Sequence, residues 1–107
     1  MDVNDRIRRT LVEHPIVLFM KGTPQLPMDG FSYRAVEALV SAGADFYGVN
    51  VLADPQVRAV LPHFSNFTTF PQLFIRGGLI GGCDIIEDLH RSGELARMAH
   101  DVAGQAS

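Results

Sequence analysis

The chain has 107 residues, 47% of them hydrophobic and 20% charged, with a formal net charge of −3. That length fits one compact domain spanning 1–107, and the acidic balance speaks against a nucleic-acid surface, which takes a basic patch. No apolar run approaches the roughly 20 residues that cross a bilayer, and the lone cysteine, Cys83, excludes an internal disulfide framework or a zinc-finger-like cluster within one chain.

In chain order, Val3, Ile7 and Leu11 recur at helical spacing, so 3–13 reads as an amphipathic helix ended by Pro15. The start "MDVNDRIRRTLVEH" is polar and periodic, with no apolar signal core, and the expected location is the cytoplasm. "IVLFM" (16–20) is short and wholly apolar, as a strand buried on both faces is. A loop rich in proline and glycine follows, and Phe31, Ala35 and Leu39 then line one face of a helix that Gly43 ends. "FYGVNV" (46–51) reads as a second strand. Asp54-Pro55 is a helix start, Asp as N-cap and Pro at the first helical position, and that helix is expected to stop at Pro62. "QLFIRGGLIGG" (72–82) reads as a hairpin turning at Gly77-Gly78. "DIIEDLHRSG" opens with Asp84 and places Glu87 three residues on, a capping-box pattern, and Leu95, Met98 and Val102 mark a last helix over 94–103.

The order α-β-α-β-α-β-β-α joins a βαβ half to a ββα half. One mixed four-stranded sheet flanked by helices accommodates both, because parallel neighbours need a crossover helix and antiparallel ones only a turn. This is the thioredoxin-like arrangement, an α/β fold.

Three loops then attract attention. Ligands of open α/β sheets gather beyond the carboxyl ends of strands, and here that place is Lys21 to Asp29, just before a helix whose free N–H groups at Gly30 and Phe31 suit an anion. Lys21, the only lysine, reads either as a ligand for that anion or as a solvated surface charge. In "TTFPQLF" (68–74), a cis Phe70–Pro71 bond would leave the Phe70 backbone free to pair with a peptide ligand; a trans bond would make an ordinary loop. In "GGCD" (81–84), two glycines let a ligand approach a helix start, where Asp84 either holds an ammonium or serves as a plain N-cap.

Together, Lys21 within "MKGTP", "DGFS", "TFPQL" and "GGCDI" resemble the monothiol glutaredoxins, whose active site reads Cys-Gly-Phe-Ser. The resemblance runs from the first helix to about residue 103. It implies glutathione binding: Lys21 and Arg58 at the glycine carboxylate, the Phe70 backbone at the cysteinyl residue, Cys83 and Asp84 at the γ-glutamyl end. It also implies a 2Fe–2S cluster shared between two subunits, a monomer without the cluster and a homodimer only with it, iron–sulfur assembly or regulatory proteins as partners, and a role in redox homeostasis. Without the resemblance, Arg58 reads equally as a solvated helix arginine.

The departure lies at Asp29, which stands where the family carries its nucleophilic cysteine. A carboxylate cannot form a mixed disulfide, so no residue is assigned the catalytic role. Asp29 reads as a helix N-cap, as an oxygen ligand to iron at the family's cluster-ligand position, or as an engineered substitution. His14, His63, His90 and His100 share no ligand spacing and are expected at the surface, Phe64 and Phe67 in loop packing, and Cys83 as a buried, sluggish thiol facing Asp29. Three functions follow: a glutathione-binding redox or iron–sulfur protein with weakened thiol chemistry, a non-catalytic glutathione- or protein-binding regulatory module, and a thiol enzyme using Cys83.

Overall fold

The computed structural model of the chain describes residues 1–105. Its elements are α1 (Val3–Glu13), β1 (Ile16–Met20), α2 (Gly30–Ser41), β2 (Tyr47–Asn50), α3 (Pro55–Ser65), β3 (Gln72–Ile75), β4 (Gly78–Gly81), α4 (Cys83–Arg91) and α5 (Glu94–Gln105). The sheet order is β2-β1-β3-β4, with β1 parallel to β2 and antiparallel to β3, and β3 antiparallel to β4. This is the thioredoxin-like mixed sheet expected from the element order.

The unbroken apolar run of β1 has a simple cause. Side chains alternate across a strand, and both faces of this one are covered. Ile16, Leu18 and Met20 join Ala35 and Leu39 of α2, Ile86 of α4 and Leu95 of α5 in one core. Val17 and Phe19 join Ile7 and Leu11 of α1 and Val57 and Leu61 of α3 in the other. Phe19 meets Phe74 of β3 edge to face, with ring centroids 5.5 Å apart.

Four expectations need correction. Helix α3 does not stop at Pro62 but continues to Ser65. Pro62 has no N–H to give the Arg58 carbonyl; packing of Val57 and Leu61 on the sheet carries the helix past it, and Asn66, in the left-handed region at φ 57°, ends it. The hairpin turns at Arg76-Gly77, both at positive φ (51° and 78°), as a tight two-residue turn requires; Gly78 already belongs to β4. The element order counted one helix after the hairpin, but there are two, parted at Ser92-Gly93, where Gly93 takes φ +84°, and the second contains the helix expected over 94–103. Phe31 does not share the buried face of Ala35 and Leu39: it is 56% exposed.

Candidate functional site

The three loops meet because of strand direction. The carboxyl end of β1, the amino end of antiparallel β3 and the carboxyl end of β4 all lie at one end of the sheet.

The first loop, 21–29, is a miniature hairpin. The Lys21 carbonyl accepts the Met28 N–H at 2.9 Å, Gly22 pairs with Pro27, and Thr23 and Leu26 exchange backbone hydrogen bonds of 3.1 and 3.0 Å. Gly22 sits at φ +93°, and its N–H is held by Asn50 Oδ1 at 2.9 Å. The loop delivers Asp29 to the start of α2, where one carboxylate oxygen, Oδ1, accepts the Ser32 N–H at 2.8 Å. Buried Ser32 completes the brace, its hydroxyl oxygen accepting the Lys21 N–H at 3.1 Å. The N-cap reading of Asp29 is therefore what the local geometry displays.

The second loop runs from Phe67 to Pro71. Its Phe70–Pro71 bond is cis, and the Phe70 N–H and C=O have no hydrogen-bond partner among the described residues. Gln72, fully buried on β3, draws the loop in by donating from Nε2 to the Phe67 and Thr69 carbonyls at 2.8 and 3.1 Å.

The third loop corrects one expectation. Asp84 does not cap α4. The N-cap is Gly82, no side chain closes the helix start, and Cys83 and Asp84 lie in the first turn. The first N–H to find a helical carbonyl is that of Ile86, on Gly82, so the amides before it remain for an outside acceptor. Gly82 lines the cavity, as the sequence suggested, and both glycines also pack closely against the protein itself. A Cβ on Gly82 would lie 3.1 Å from the Phe67 ring and 3.3 Å from the Pro71 carbonyl oxygen, and one on Gly81 would meet Ile85 at 2.9 Å. The glycines serve the protein's own close packing.

All six residues singled out from the sequence, Lys21, Asp29, Arg58, Phe70, Cys83 and Asp84, line one cavity of about 830 Å³, a size typical of small-molecule sites. Neither Lys21 nor Arg58 is paired with a carboxylate of the described residues. Phe31 and Phe67, which the sequence suggested for packing, form part of its wall, beside Thr68 and Thr69. No histidine lines it.

Sequence reasoning missed Arg34 and Glu87. The Arg34 guanidinium forks onto the Glu87 carboxylate across α2 and α4, with one arm at 3.1 Å, and lies over the Phe31 ring. This pair, and not Asp29, makes up the charged surroundings of Cys83 together with Asp84. Burial pushes the Cys83 thiol up; Arg34 pulls it down, while Glu87 and Asp84 push it further up. Arg34 in turn holds the Glu87 carboxyl below the usual range. The signal was present: Glu87 at capping-box spacing had no cap to serve and a helical arginine opposite.

The match to known proteins is consistent along the chain. Residues 16–80 fit the family described as Glutaredoxin. Glutaredoxin 4 of Escherichia coli K12 is 45% identical over 101 residues, 94% of this chain and 88% of that one. The chain belongs to the glutaredoxin family. Reduced apo GrxS14 of poplar superposes with a TM-score of 0.80 at 39% identity, over 94% of this chain and 93% of its own. A buckwheat glutaredoxin in complex with glutathione shares the fold, with a TM-score of 0.81 at 24% identity, over 94% and 89% of the two chains.

An iron–sulfur cluster of the kind the glutaredoxin resemblance implied needs thiolate ligands. The donors here do not fit it. The one thiol, Cys83, is 7% exposed and its pKa is raised by burial. The pocket carboxylate, Asp29, has one oxygen committed to the Ser32 N–H. Cys83, Asp84 and Glu87 do bring three donor atoms within 4.8 Å of one another, but the Arg34 cation already occupies Glu87.

Proposed function

We propose that this glutaredoxin domain, residues 1–107, binds glutathione in the 830 Å³ cavity and that Asp29, standing at the family nucleophile's position, removes most of its thiol–disulfide chemistry. The carrying observation is the charge layout of one cavity. Two unpaired cations, Lys21 and Arg58, line it together with the uncapped start of α4 and the Asp84 carboxylate. Glutathione offers a carboxylate at each end and an ammonium at one. Lys21 and Arg58 suit the glycine carboxylate. The α4 amides at Cys83 and Asp84 suit the γ-glutamyl carboxylate, and the Asp84 side chain suits the ammonium. The unpaired Phe70 N–H and C=O suit the peptide in between, as an added strand edge. The ligand is the cytosol's own thiol buffer, and on this reading the protein works in the cytoplasm.

A non-catalytic binding module is the second reading. The surroundings of Cys83 favour it over a thiol enzyme that uses Cys83, because burial and two carboxylates oppose the thiolate.

Calorimetric titration with reduced glutathione tests the site. The parent protein is expected to bind, and Lys21→Ala with Arg58→Ala to bind roughly tenfold more weakly, from two exposed charge pairs worth up to about 1 kcal/mol each. High salt is expected to reproduce part of the loss. A parent protein that takes up no heat from glutathione would remove the assignment.

A further inference from the structure

The cavity contains a group that the binding of a tripeptide's two ends does not use. Asp29 Oδ1 accepts the Ser32 N–H, and among the described residues no other donor reaches its carboxylate, so Oδ2 has no partner among them. Among the described residues Asp29 forms no ion pair, although Lys21 and Arg58 line the same cavity. An unpartnered carboxylate oxygen in a half-enclosed pocket favours whatever brings it a proton donor and resists whatever strips its water without replacing it.

We propose that the pocket reads the chemical state of the ligand sulfur: it selects glutathione with a protonated thiol, and discriminates against S-substituted forms, disulfide or thioether, and against the thiolate. The inference rests on the glutathione reading above and deepens it. With the two ends of the tripeptide held at Lys21 and Arg58 and at the start of α4, the central cysteinyl group lies between them, and of the polar side chains left in the lining, Asp29, Thr68 and Thr69, only Asp29 is charged. A thiol is a weak donor to a neutral acceptor, but a charged acceptor strengthens the bond. A thiolate meets like charge. A disulfide or thioether sulfur has no hydrogen to give and lays apolar surface on the carboxylate, which then loses water without compensation. The consequence is a binder of reduced glutathione that releases it on oxidation, with no bond made or broken by the protein.

The test compares reduced glutathione with S-methylglutathione by calorimetry, on the parent and on Asp29→Asn. Asn is an equally good N-cap, so α2 is retained, but its amide offers a donor where the carboxylate oxygen accepted. The parent is expected to prefer the free thiol about tenfold, the 1.4 kcal/mol of one charge-assisted hydrogen bond at the low end of its range. In Asp29→Asn the preference is expected to vanish. In the parent it is also expected to fade as pH is raised through the thiol's alkaline titration. Any other group of the protein or of the ligand that changes charge over that range is common to the S-methylglutathione measurement, so the ratio of the two affinities isolates the sulfur. If the parent binds both ligands equally, or if Asp29→Asn keeps the preference, the inference is overturned and the glutathione site stands. If neither ligand binds, the glutathione site itself falls. Should Asp29→Asn fail to fold, Asp29→Ser supplies a second neutral cap, and the parent's pH ratio decides without any variant.

Discussion

At Cys83 two influences compete: a helix start, which favours an anion by about 0.3–1 kcal/mol, and burial, which disfavours one. Burial leads, and the nearby charges divide, Arg34 on one side and Glu87 with Asp84 on the other. The thiolate fraction at neutral pH is therefore small, and alkylation by iodoacetamide is expected to be slower than that of free glutathione. The charged pair gives the expectation a sign in each direction. Glu87→Gln removes two influences that raise the thiol pKa and should speed the reaction; Arg34→Ala removes the one that lowers it and should slow it. Rates unchanged in both variants would show that the pair does not govern the thiol. At this scale the sequence exposed the residues of the cavity but not their neighbours. Lys21, Asp29 and Cys83 stand out by type or by rarity, whereas Arg34 and Glu87 are ordinary helix charges until two helices bring them together.

The helices show how much a cap settles and where it stops settling. Asp54 both caps α3, accepting the Val57 N–H at 3.2 Å, and binds Arg6 of α1 at 3.0 Å. The hydrogen bond from Arg6 holds the Asp54 carboxyl below its usual range. A depressed carboxyl pKa means that the native state binds fewer protons than the unfolded one. Its contribution is present above the unfolded value and is lost as pH falls through the folded one. Denaturant titrations from pH 6 down to pH 2 are expected to show part of the acid loss of stability disappear in Asp54→Asn; an identical slope in parent and variant would exclude this pair as a source. Helix α2 depends on its cap more simply: Asp29→Ala should cost about 0.5–2 kcal/mol, and Asp29→Ser much less. The loop before it depends on Gly22. A Cβ there would lie 2.4 Å from the Leu26 carbonyl oxygen and 2.7 Å from the Met28 N, at φ +93°. Gly22→Ala should therefore cost about 2 kcal/mol or more, read as a lowered Tm; a Tm equal to the parent's would mean the loop re-forms around the methyl. The Asp54 and Asp29 caps were legible because cap and first turn are adjacent in sequence. The stop at Pro62 and the cap at Asp84 were misread because tertiary packing decided them: two buried side chains carry α3 past its proline, and Glu87 answers to another helix.

Across the whole molecule the topology was the most legible feature, since the element order alone calls for one sheet with a parallel and an antiparallel half. Legible with it was the meeting of three loops at one end of that sheet. What the sequence could not show is that the glycines of "GGCD" are filled by Phe67, Pro71 and Ile85, because that contact needs three loops in place at once. The same arrangement bears on assembly. A cluster shared by two subunits would have to draw a thiolate from each chain at the cavity mouth. This chain has a single thiol, buried within the first turn of α4 and disfavoured as an anion. The carboxylate at position 29 is a poor cluster ligand, being a hard oxygen donor where a cluster takes soft sulfur and already bound to the Ser32 N–H. Anaerobic incubation with iron, sulfide and glutathione is therefore expected to leave the parent colourless and monomeric on gel filtration. Asp29→Cys, which puts a thiol at the N-terminus of α2 where a helix start favours its anion, should gain visible absorption, shift to the dimer position, and acquire turnover of a glutathione mixed disulfide. A coloured, dimeric parent would show that the carboxylate or Cys83 ligates iron after all; an Asp29→Cys protein that stays colourless and inactive while still binding glutathione would show that a thiol at position 29 is not enough to make this site a working one.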